Sequence, residues 1–347
     1  MHKPRVSQNI FEIFKSPTTR ASLAALTALT LAACAPAVQD EANPWTALPH
    51  AVMNALPQGA VLERAGSIAP DPNTTQALLG SLAPGSGTPE TRVPAILARG
   101  YLIVGIAQSQ NLLSFQNFST GEMNGFEVDI ARAIAEDIFG DSTKVDFRFI
   151  DATDQITALE NGSVDIILNA LSVTRGRQDQ LSFSTPYFQA RTQLLTLNSS
   201  TINTVADLDG KTVCAVFGST GVERARQQAP HSDILKVRTW ADCLIALQQN
   251  QTDAIISDNT ILAGMYSQDP TTRIVPLTFS TENYAVGIAT PGTRHDTEGL
   301  IRQVNSTIEK IRSNGQWMTL YNRWFAQYLD GTSGTVVLPP INYREEV

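Results

Sequence analysis

The sequence has few of the residues that build metal centres, and positive charge is in the minority. Its 347 residues include four histidines and three cysteines, and no histidine stands at a metal-ligand spacing from a cysteine or carboxylate. We therefore predict no metal and no cofactor. Lysine and arginine number 25 against 33 aspartates and glutamates, and an acidic chain repels phosphate backbones. This balance argues against nucleic-acid binding and favours a small-molecule ligand.

Apolar runs long enough to span a bilayer are also missing near the N-terminus. The run within residues 21–34 follows a basic start and is shorter than the roughly 20 residues that a spanning helix needs. It ends in Leu31-Ala32-Ala33-Cys34, which resembles a bacterial lipobox, where cleavage precedes a cysteine that receives the lipid. We predict a lipoprotein signal peptide over residues 1–33 and lipidation of Cys34, which would hold the protein at the extracytoplasmic face of the cell membrane. The alternative is a secreted protein in which Cys34 has no special role.

The two remaining cysteines are Cys214 and Cys243. An even pair of cysteines in an exported protein favours a disulfide, because such bonds persist outside the cytoplasm. We predict a bond between them, and two buried free thiols are the alternative.

Proline and glycine concentrate ahead of the folded region. Nine of the 18 prolines lie between Pro36 and Pro94, in a segment with weak hydrophobic periodicity. Such a segment has little apolar surface to bury, so we predict a tether over residues 34–91. A short Gly/Thr/Pro-containing tail is predicted over residues 331–347.

From about residue 92 onward, apolar strand-like runs alternate with amphipathic stretches. Leu102–Ile106 has the composition of a buried strand, and residues 125–139 have apolar residues at helical spacing. This rhythm predicts an α/β fold with two lobes. We expect lobe 1 to comprise residues 92–196 and 283–330, lobe 2 to comprise residues 197–282, and two chain crossings to join them. A cleft between such lobes is where open α/β sheets bind ligands.

Three groups of polar residues follow predicted strands. Asn169 to Arg177 offers a guanidinium beside hydroxyls and free backbone N–H groups, which suits a carboxylate. Gly218-Ser-Thr-Gly221 opens a helix whose N–H groups favour an anion. Asp258 ends a buried strand and could hold an ammonium group. The alternatives are a solvated surface arginine for the first group and helix caps for the other two. Together the three groups would fit a zwitterion.

These segments carry a resemblance to a known family. Gly125-Phe-Glu-Val-Asp-Ile-Ala131, Ser172-Val-Thr-Arg-Gly-Arg177 and Asp253-Ala-Ile-Ile-Ser-Asp258 resemble the amino-acid-binding solute-binding proteins of ABC importers, family 3. The segment Gly315-Gln-Trp-Met-Thr-Leu-Tyr-Asn-Arg-Trp324 is similar to actinobacterial GlnH-type glutamine/glutamate-binding lipoproteins. The resemblance covers about residues 92–330. It implies a fold of the type II periplasmic-binding-protein class, in which two α/β lobes close like a hinge over an amino acid without a chemical step.

The resemblance also implies roles for individual residues. Arg177 would bind the ligand α-carboxylate and Asp258 the α-ammonium. The other residues placed around the ligand carboxylate are Ser172, Ala170, Thr220, Ser219 and Gly221, with Ala170 also near the ammonium. Gln155, Asn111 and Gln108 would face the ligand side chain.

Two positions depart from the family pattern. Ala170 stands where Ser or Thr is common, so only its backbone can contribute. Gln155 stands where glutamate- and aspartate-binding relatives have an arginine, which favours an amide side chain in the ligand over a carboxylate. An ordinary exposed helix residue is the alternative for Gln155.

The function implied is a lipid-anchored, monomeric receptor that binds glutamine, asparagine, glutamate or aspartate and presents it to an ABC permease. The alternative is an amino-acid sensor that signals through a membrane protein to a serine/threonine kinase pathway. The same fold also serves as a dehydratase, but fold does not fix function. No Gly-x-Ser-x-Gly motif occurs and no histidine lies beside the three groups, so we predict no enzymatic activity.

Overall fold

The structure is a computed structural model that describes residues 55–71, 77–292, 297–329 and 336–344. The predicted signal peptide and Cys34 lie outside these ranges. Within the described ranges, no helix is both long enough and apolar enough to cross a bilayer.

The strands follow one another from the N-terminal segment to the last crossing between the lobes. They are β1 Val61–Glu63, β2 Leu102–Ile106, β3 Ser109–Gln110, β4 Ser114–Gln116, β5 Met123–Asn124, β6 Val145–Phe149, β7 Ile166–Leu168, β8 Leu181–Phe183, β9 Phe188–Leu197, β10 Thr212–Val216, β11 Asp233–Val237, β12 Ala254–Asp258, β13 Thr272–Tyr284 and β14 Gly287–Ala289.

The helices lie mostly between the strands. They are α1 Pro89–Arg92, α2 Pro94–Arg99, α3 Phe126–Phe139, α4 Gln155–Glu160, α5 Arg175–Gln178, α6 Thr220–Gln228, α7 Trp240–Gln248, α8 Asn259–Gln268, α9 Thr297–Ser313, α10 Gln316–Trp324 and α11 Ala326–Leu329, with a 3-10 helix at Ala206–Leu208.

Two sheets form two lobes. The first has five strands in the order β6-β2-β7-β14-β8, with β2 parallel to both β6 and β7. The second has six strands in the order β1-β11-β10-β12-β9-β13, with β10 parallel to both β11 and β12. A small sheet of β3, β4 and β5 accompanies the first lobe. The mixed α/β fold predicted from the sequence is confirmed.

Two adjacent crossings join the lobes. The chain leaves the first sheet after Phe183 and enters β9 at Phe188, and it returns between Tyr284 and Gly287. The two crossings bond to each other, since Tyr187 N donates to Tyr284 O at 2.8 Å. All ten residues of β9 lie in the second lobe, where β9 pairs with β12 and β13. The first crossing therefore lies earlier in the chain than the predicted boundary at residue 196.

Part of the predicted tether is folded, contrary to the expectation of an extended linker over residues 34–91. Strand β1 pairs antiparallel with β11 at the edge of the second sheet. Glu63 in β1 is buried and bonds to Arg226 and Lys236, each at 2.8 Å. The Arg226 guanidinium, with Lys236, lowers the pKa of Glu63 to about 2. Local periodicity could not indicate this strand because its stabilising partners lie far away in the chain.

The residues just before lobe 1 are also ordered against it. Ser81 Oγ donates to the Phe183 carbonyl at 2.7 Å, and Asn305 Nδ2 donates to the Leu82 carbonyl at 2.6 Å. The N-terminal segment thus contacts the second lobe through β1 and the first lobe through residues 79–92.

The predicted disulfide is present between Cys214 in β10 and Cys243 in α7. Both cysteines are fully buried, so the bond fixes α7 to the centre of the second sheet.

We expect the double variant Cys214→Ala/Cys243→Ala to lose about 3.5 kcal/mol of unfolding free energy, because the bond closes a loop with a separation of 29 residues. Urea unfolding followed by circular dichroism measures this loss, and the reduced wild-type protein is the matched control. A loss below about 0.5 kcal/mol would contradict a stabilising role for the bond.

Candidate functional site

The candidate site lies in the cleft between the two sheets. Because β10, β11 and β12 are parallel neighbours, their carboxyl ends meet at one edge of the second sheet and face the first lobe. The cleft contains a cavity of about 110 Å³ lined by residues from both lobes. One water molecule needs about 10–15 Å³ of cavity volume, so the cavity suits one small molecule.

Arg177 lies on the first lobe at this cavity, in the short helix α5. Its Nη1 donates to the Ser172 carbonyl at 2.7 Å, and its Nη2 donates across the cleft to the Gly218 carbonyl at 2.8 Å. Over the described ranges, no carboxylate lies within ion-pair distance of this guanidinium. Burial lowers the pKa of Arg177, but an arginine stays charged. The site thus holds a cation whose partners are neutral backbone groups.

Further hydrogen-bond donors surround this cation. Ser172 lines the cavity, is 1% exposed, and has a hydroxyl without a hydrogen-bond partner in the part of the chain that the structure describes. Thr220 and Gly221 are the first residues of α6, so their N–H groups have no partner within the helix. A Cβ on Gly221 would lie 2.8 Å from the Ile256 carbonyl oxygen, so glycine lets α6 approach β12 closely. These donors and Arg177 together suit a carboxylate.

Two residues predicted at the ligand carboxylate have their polar groups occupied. The Ser219 hydroxyl donates to the Val216 carbonyl at 2.7 Å, so it shapes the turn before α6. The Ala170 N–H donates to Glu127 Oε1 at 2.7 Å, and Ala170 adopts a left-handed φ of 46°. The expected contact between the Ala170 N–H and a ligand carboxylate is therefore not available. Its carbonyl oxygen remains for the predicted ammonium contact.

Asp258 lies on the second lobe at the end of β12, and its residue is 5% exposed. It precedes α8 but its side chain does not cap the helix, contrary to the alternative raised by the sequence. Instead its carboxylate accepts from Thr192 Oγ1 at 2.9 Å and from Tyr284 OH at 2.7 Å. No lysine or arginine of the described ranges lies within ion-pair distance of it.

Burial raises the pKa of Asp258 to about 7. The nearby carboxylate of Glu282 adds to this rise, whereas the two hydroxyl donors and Arg177 oppose it. The positive charge of an ammonium group in the cavity would therefore stabilise the carboxylate form of Asp258.

The residues predicted to face a ligand side chain separate into two groups. Gln155 and Gln108 line the cavity. Gln155 is 5% exposed, and its side-chain amide has no hydrogen-bond partner among the residues described, which differs from the exposed helix residue given as the alternative. Asn111 does not line the cavity, because its Nδ2 donates to Ser267 Oγ at 2.6 Å on the other lobe.

The sequence analysis missed two charged residues of the cavity wall, Arg238 and Asp151. Arg238 Nη2 donates to Asp151 Oδ2 at 2.6 Å, which joins the two lobes. Arg238 directly follows β11, and Asp151 lies two residues after β6. Their position just after a strand could have indicated them, because the groups predicted from the sequence follow β7, β10 and β12 in the same way.

A buried carboxyl group bonds to the cavity wall on the side away from the cavity. Glu127 in α3 is fully buried and accepts hydrogen bonds from the Tyr187 hydroxyl and the Ala170 N–H through Oε1. Burial raises the pKa of Glu127 to about 7. Its bond to Ala170 holds that residue in its left-handed conformation at the cavity wall. In the described residues, no group of three or more histidine, cysteine, aspartate or glutamate side chains could hold a metal.

Several bacterial amino-acid-binding proteins are similar to this chain in sequence over more than half of its length. A glutamine-binding protein of an ABC transporter, GlnH from Bacillus subtilis, is 31% identical over 234 residues, covering 67% of this chain and 84% of the relative. A glutamine-binding protein of Geobacillus stearothermophilus is 38% identical over 56% of this chain and 74% of its own length. The glutamate-binding protein GluB of Corynebacterium efficiens is 30% identical over 64% of this chain and 78% of its own length.

The fold is similar to that of solved amino-acid receptors. The crystal structure of a solute receptor for L-cysteine from Neisseria gonorrhoeae matches with a TM-score of 0.63 and 22% identity, covering 68% of this chain and 94% of that one. The family model for bacterial extracellular solute-binding proteins, family 3, matches residues 102–327. This segment contains both lobes' central strands and the cavity between them, and the chain belongs to this family.

Proposed function

We propose that the protein is a receptor that closes its two lobes over one free polar amino acid, with an amide side chain preferred. The observation that carries this proposal is the presence of Arg177 and Asp258 in one cavity, each without a protein ion-pair partner in the described ranges. A charge withdrawn from water, fully for Asp258 and in part for Arg177, is costly unless it is paired, and the α-ammonium and α-carboxylate of an amino acid would pair with them. A small molecule without charged groups would supply a counter-charge to neither residue.

The preference for an amide side chain is supported by Gln155. Its buried amide can both donate and accept a hydrogen bond, so it complements another amide. Glutamine and asparagine are therefore the favoured ligands, ahead of glutamate and aspartate. The names of the relatives, which include glutamine-binding and glutamate-binding proteins, support this range of ligands.

Delivery of the bound amino acid would take place at the membrane. A lipid at Cys34 would hold a monomeric receptor at the extracytoplasmic face of the membrane, where an ABC permease would receive the amino acid after closure. No chemical step is part of this role. The relationship to a glutamine-binding protein of an ABC transporter supports transport as the first candidate. Signalling to a kinase pathway is the second candidate, and it rests only on the resemblance to actinobacterial GlnH-type lipoproteins.

A deletion strain separates these two candidates. If the receptor serves transport, loss of the gene lowers uptake of labelled glutamine or asparagine, and a plasmid copy restores it. Unchanged uptake together with altered phosphorylation of kinase substrates would refute transport and favour the signalling role.

The binding site itself is tested by Arg177→Ala and Asp258→Asn. We expect each change to weaken amino-acid binding about 100-fold or more, because charge-assisted hydrogen bonds to the ligand are lost. Isothermal titration calorimetry measures the affinity, and thermal unfolding checks the fold. Arg175→Ala is the matched control, because Arg175 lies two residues from Arg177 and pairs with Asp179 at 2.8 Å. Wild-type affinity in both site variants would overturn the assignment.

The raised pKa of Asp258, about 7, predicts a pH dependence of binding. The ligand ammonium needs the carboxylate form, so protons compete with the ligand when the pH falls below that pKa. Affinity should fall about five-fold from pH 7 to pH 6 and change little above pH 8.

Titration calorimetry at several pH values and in two buffers of different ionisation enthalpy measures the affinity and the protons released. Glu127 has a similar pKa, so Glu127→Gln separates the two groups: the dependence should persist in this variant and disappear from the residual binding of Asp258→Asn. An affinity that is constant between pH 6 and pH 8 would contradict the role of Asp258.

A further inference from the structure

The cavity wall carries a second pair of opposite charges, Arg238 and Asp151, besides Arg177 and Asp258. The two residues lie on different lobes and bond to each other at 2.6 Å. Their side chains remain 66% and 40% exposed, so both are accessible from the cleft. The pair is neutral as a whole, but it offers one strong donor and one strong acceptor side by side.

The order of the strands places this pair at a distance from the ammonium site. Asp258 ends β12 and Arg238 follows β11, with β10 between them. Neighbouring strands are about 4.8 Å apart, so the two strand ends are separated by roughly 9.6 Å. The donors at the start of α6, after β10, lie between them. A ligand with its ammonium at Asp258 and its carboxylate near α6 therefore has its side chain left to reach the end of β11.

The first lobe presents compatible groups to the same region. Asp151 follows β6, and Gln155 begins α4 four residues later. Both line the cavity. The side-chain end of the ligand would thus meet a guanidinium from one lobe and a carboxylate and an amide from the other.

We propose that Arg238 and Asp151 form the subsite that reads the ligand side chain and selects a carboxamide over a carboxylate. The inference rests on the proposed function, because it assigns roles within the same cavity. A carboxamide has an oxygen that accepts from Arg238 and an NH₂ group that donates to Asp151. A carboxylate can accept from Arg238 but is repelled by Asp151 and has no hydrogen to donate.

The pair could instead act only as a contact that holds the lobes together. That role predicts an equal change in affinity for all ligands, since closure is common to all of them. Selection predicts a change in the ratio of the glutamine and glutamate affinities, and this ratio is the decisive measurement.

The experiment titrates L-glutamine and L-glutamate into the full chain and into the variants Asp151→Asn and Arg238→Gln at pH 8. We expect the wild type to prefer glutamine. Asp151→Asn should lower the ratio of the glutamine affinity to the glutamate affinity about ten-fold, because the repulsion of glutamate is removed. Arg238→Gln should raise this ratio, because Asp151 then repels glutamate without a cation to offset it. Shifts of this affinity ratio in opposite directions in the two variants would indicate selection by the pair.

Asp154→Asn is the matched control, because it removes the same charge three residues away from an exposed position that does not line the cavity. Thermal unfolding checks that each variant is folded. A wild type that prefers glutamate, or equal losses for both ligands in both variants, would overturn the subsite assignment while leaving the proposed receptor function intact. A wild type that binds no amino acid would refute the proposed function itself.

Discussion

Arg177 and Asp258 are opposite charges held at one cavity on different lobes, and neither has an ion-pair partner in the described ranges. Withdrawing such groups from water raises the free energy of the folded protein unless hydrogen bonds or counter-charges compensate. Two carbonyls compensate Arg177 and two hydroxyls compensate Asp258, but only in part, as the raised pKa of Asp258 indicates. The remaining cost is what a zwitterionic ligand can relieve.

The crossings between the lobes are physically linked to this site. Tyr284 lies at the end of β13, where the chain returns to the first lobe, and its hydroxyl bonds to Asp258. Tyr187 lies in the other crossing, and its hydroxyl bonds to Glu127, which holds Ala170 at the cavity wall. Both tyrosines are fully buried. The groups proposed to bind the ligand are therefore attached to the segments that join the two lobes.

The second lobe is reinforced around its share of the site. The disulfide fixes α7, which begins beside the cavity at Trp240, to β10. Strand β1 extends the same sheet, and Glu63 in this strand forms ion pairs with Arg226 and Lys236. Such constraints favour a preformed binding surface, which reduces the ordering cost of binding.

Features that depend on residues close together in the chain could be predicted from the sequence. Strand β2 and helix α3 follow from local hydrophobic runs and periodicity, and Arg177 and Asp258 could be selected because each follows a recognisable strand. Gln155 was selected only through the resemblance to the family. The pairing of Cys214 with Cys243 followed from their number and the predicted compartment. Family resemblance then gave these residues roles that their local patterns alone left open.

Features that join distant parts of the chain depend on how the complete fold packs. Strands β9 and β13 pair although Thr192 and Ser280 are far apart in sequence, and polar residues along both strands obscure their pattern. The ion pair between Asp151 and Arg238 likewise exists only because two lobes meet. The backbone of Ala170 was predicted to contact the ligand carboxylate, but in the folded protein its N–H donates to Glu127. Hydrogen bonds and ion pairs depend on distances of a few ångströms, and for residues so far apart in the chain those distances are set by the packing of the whole protein.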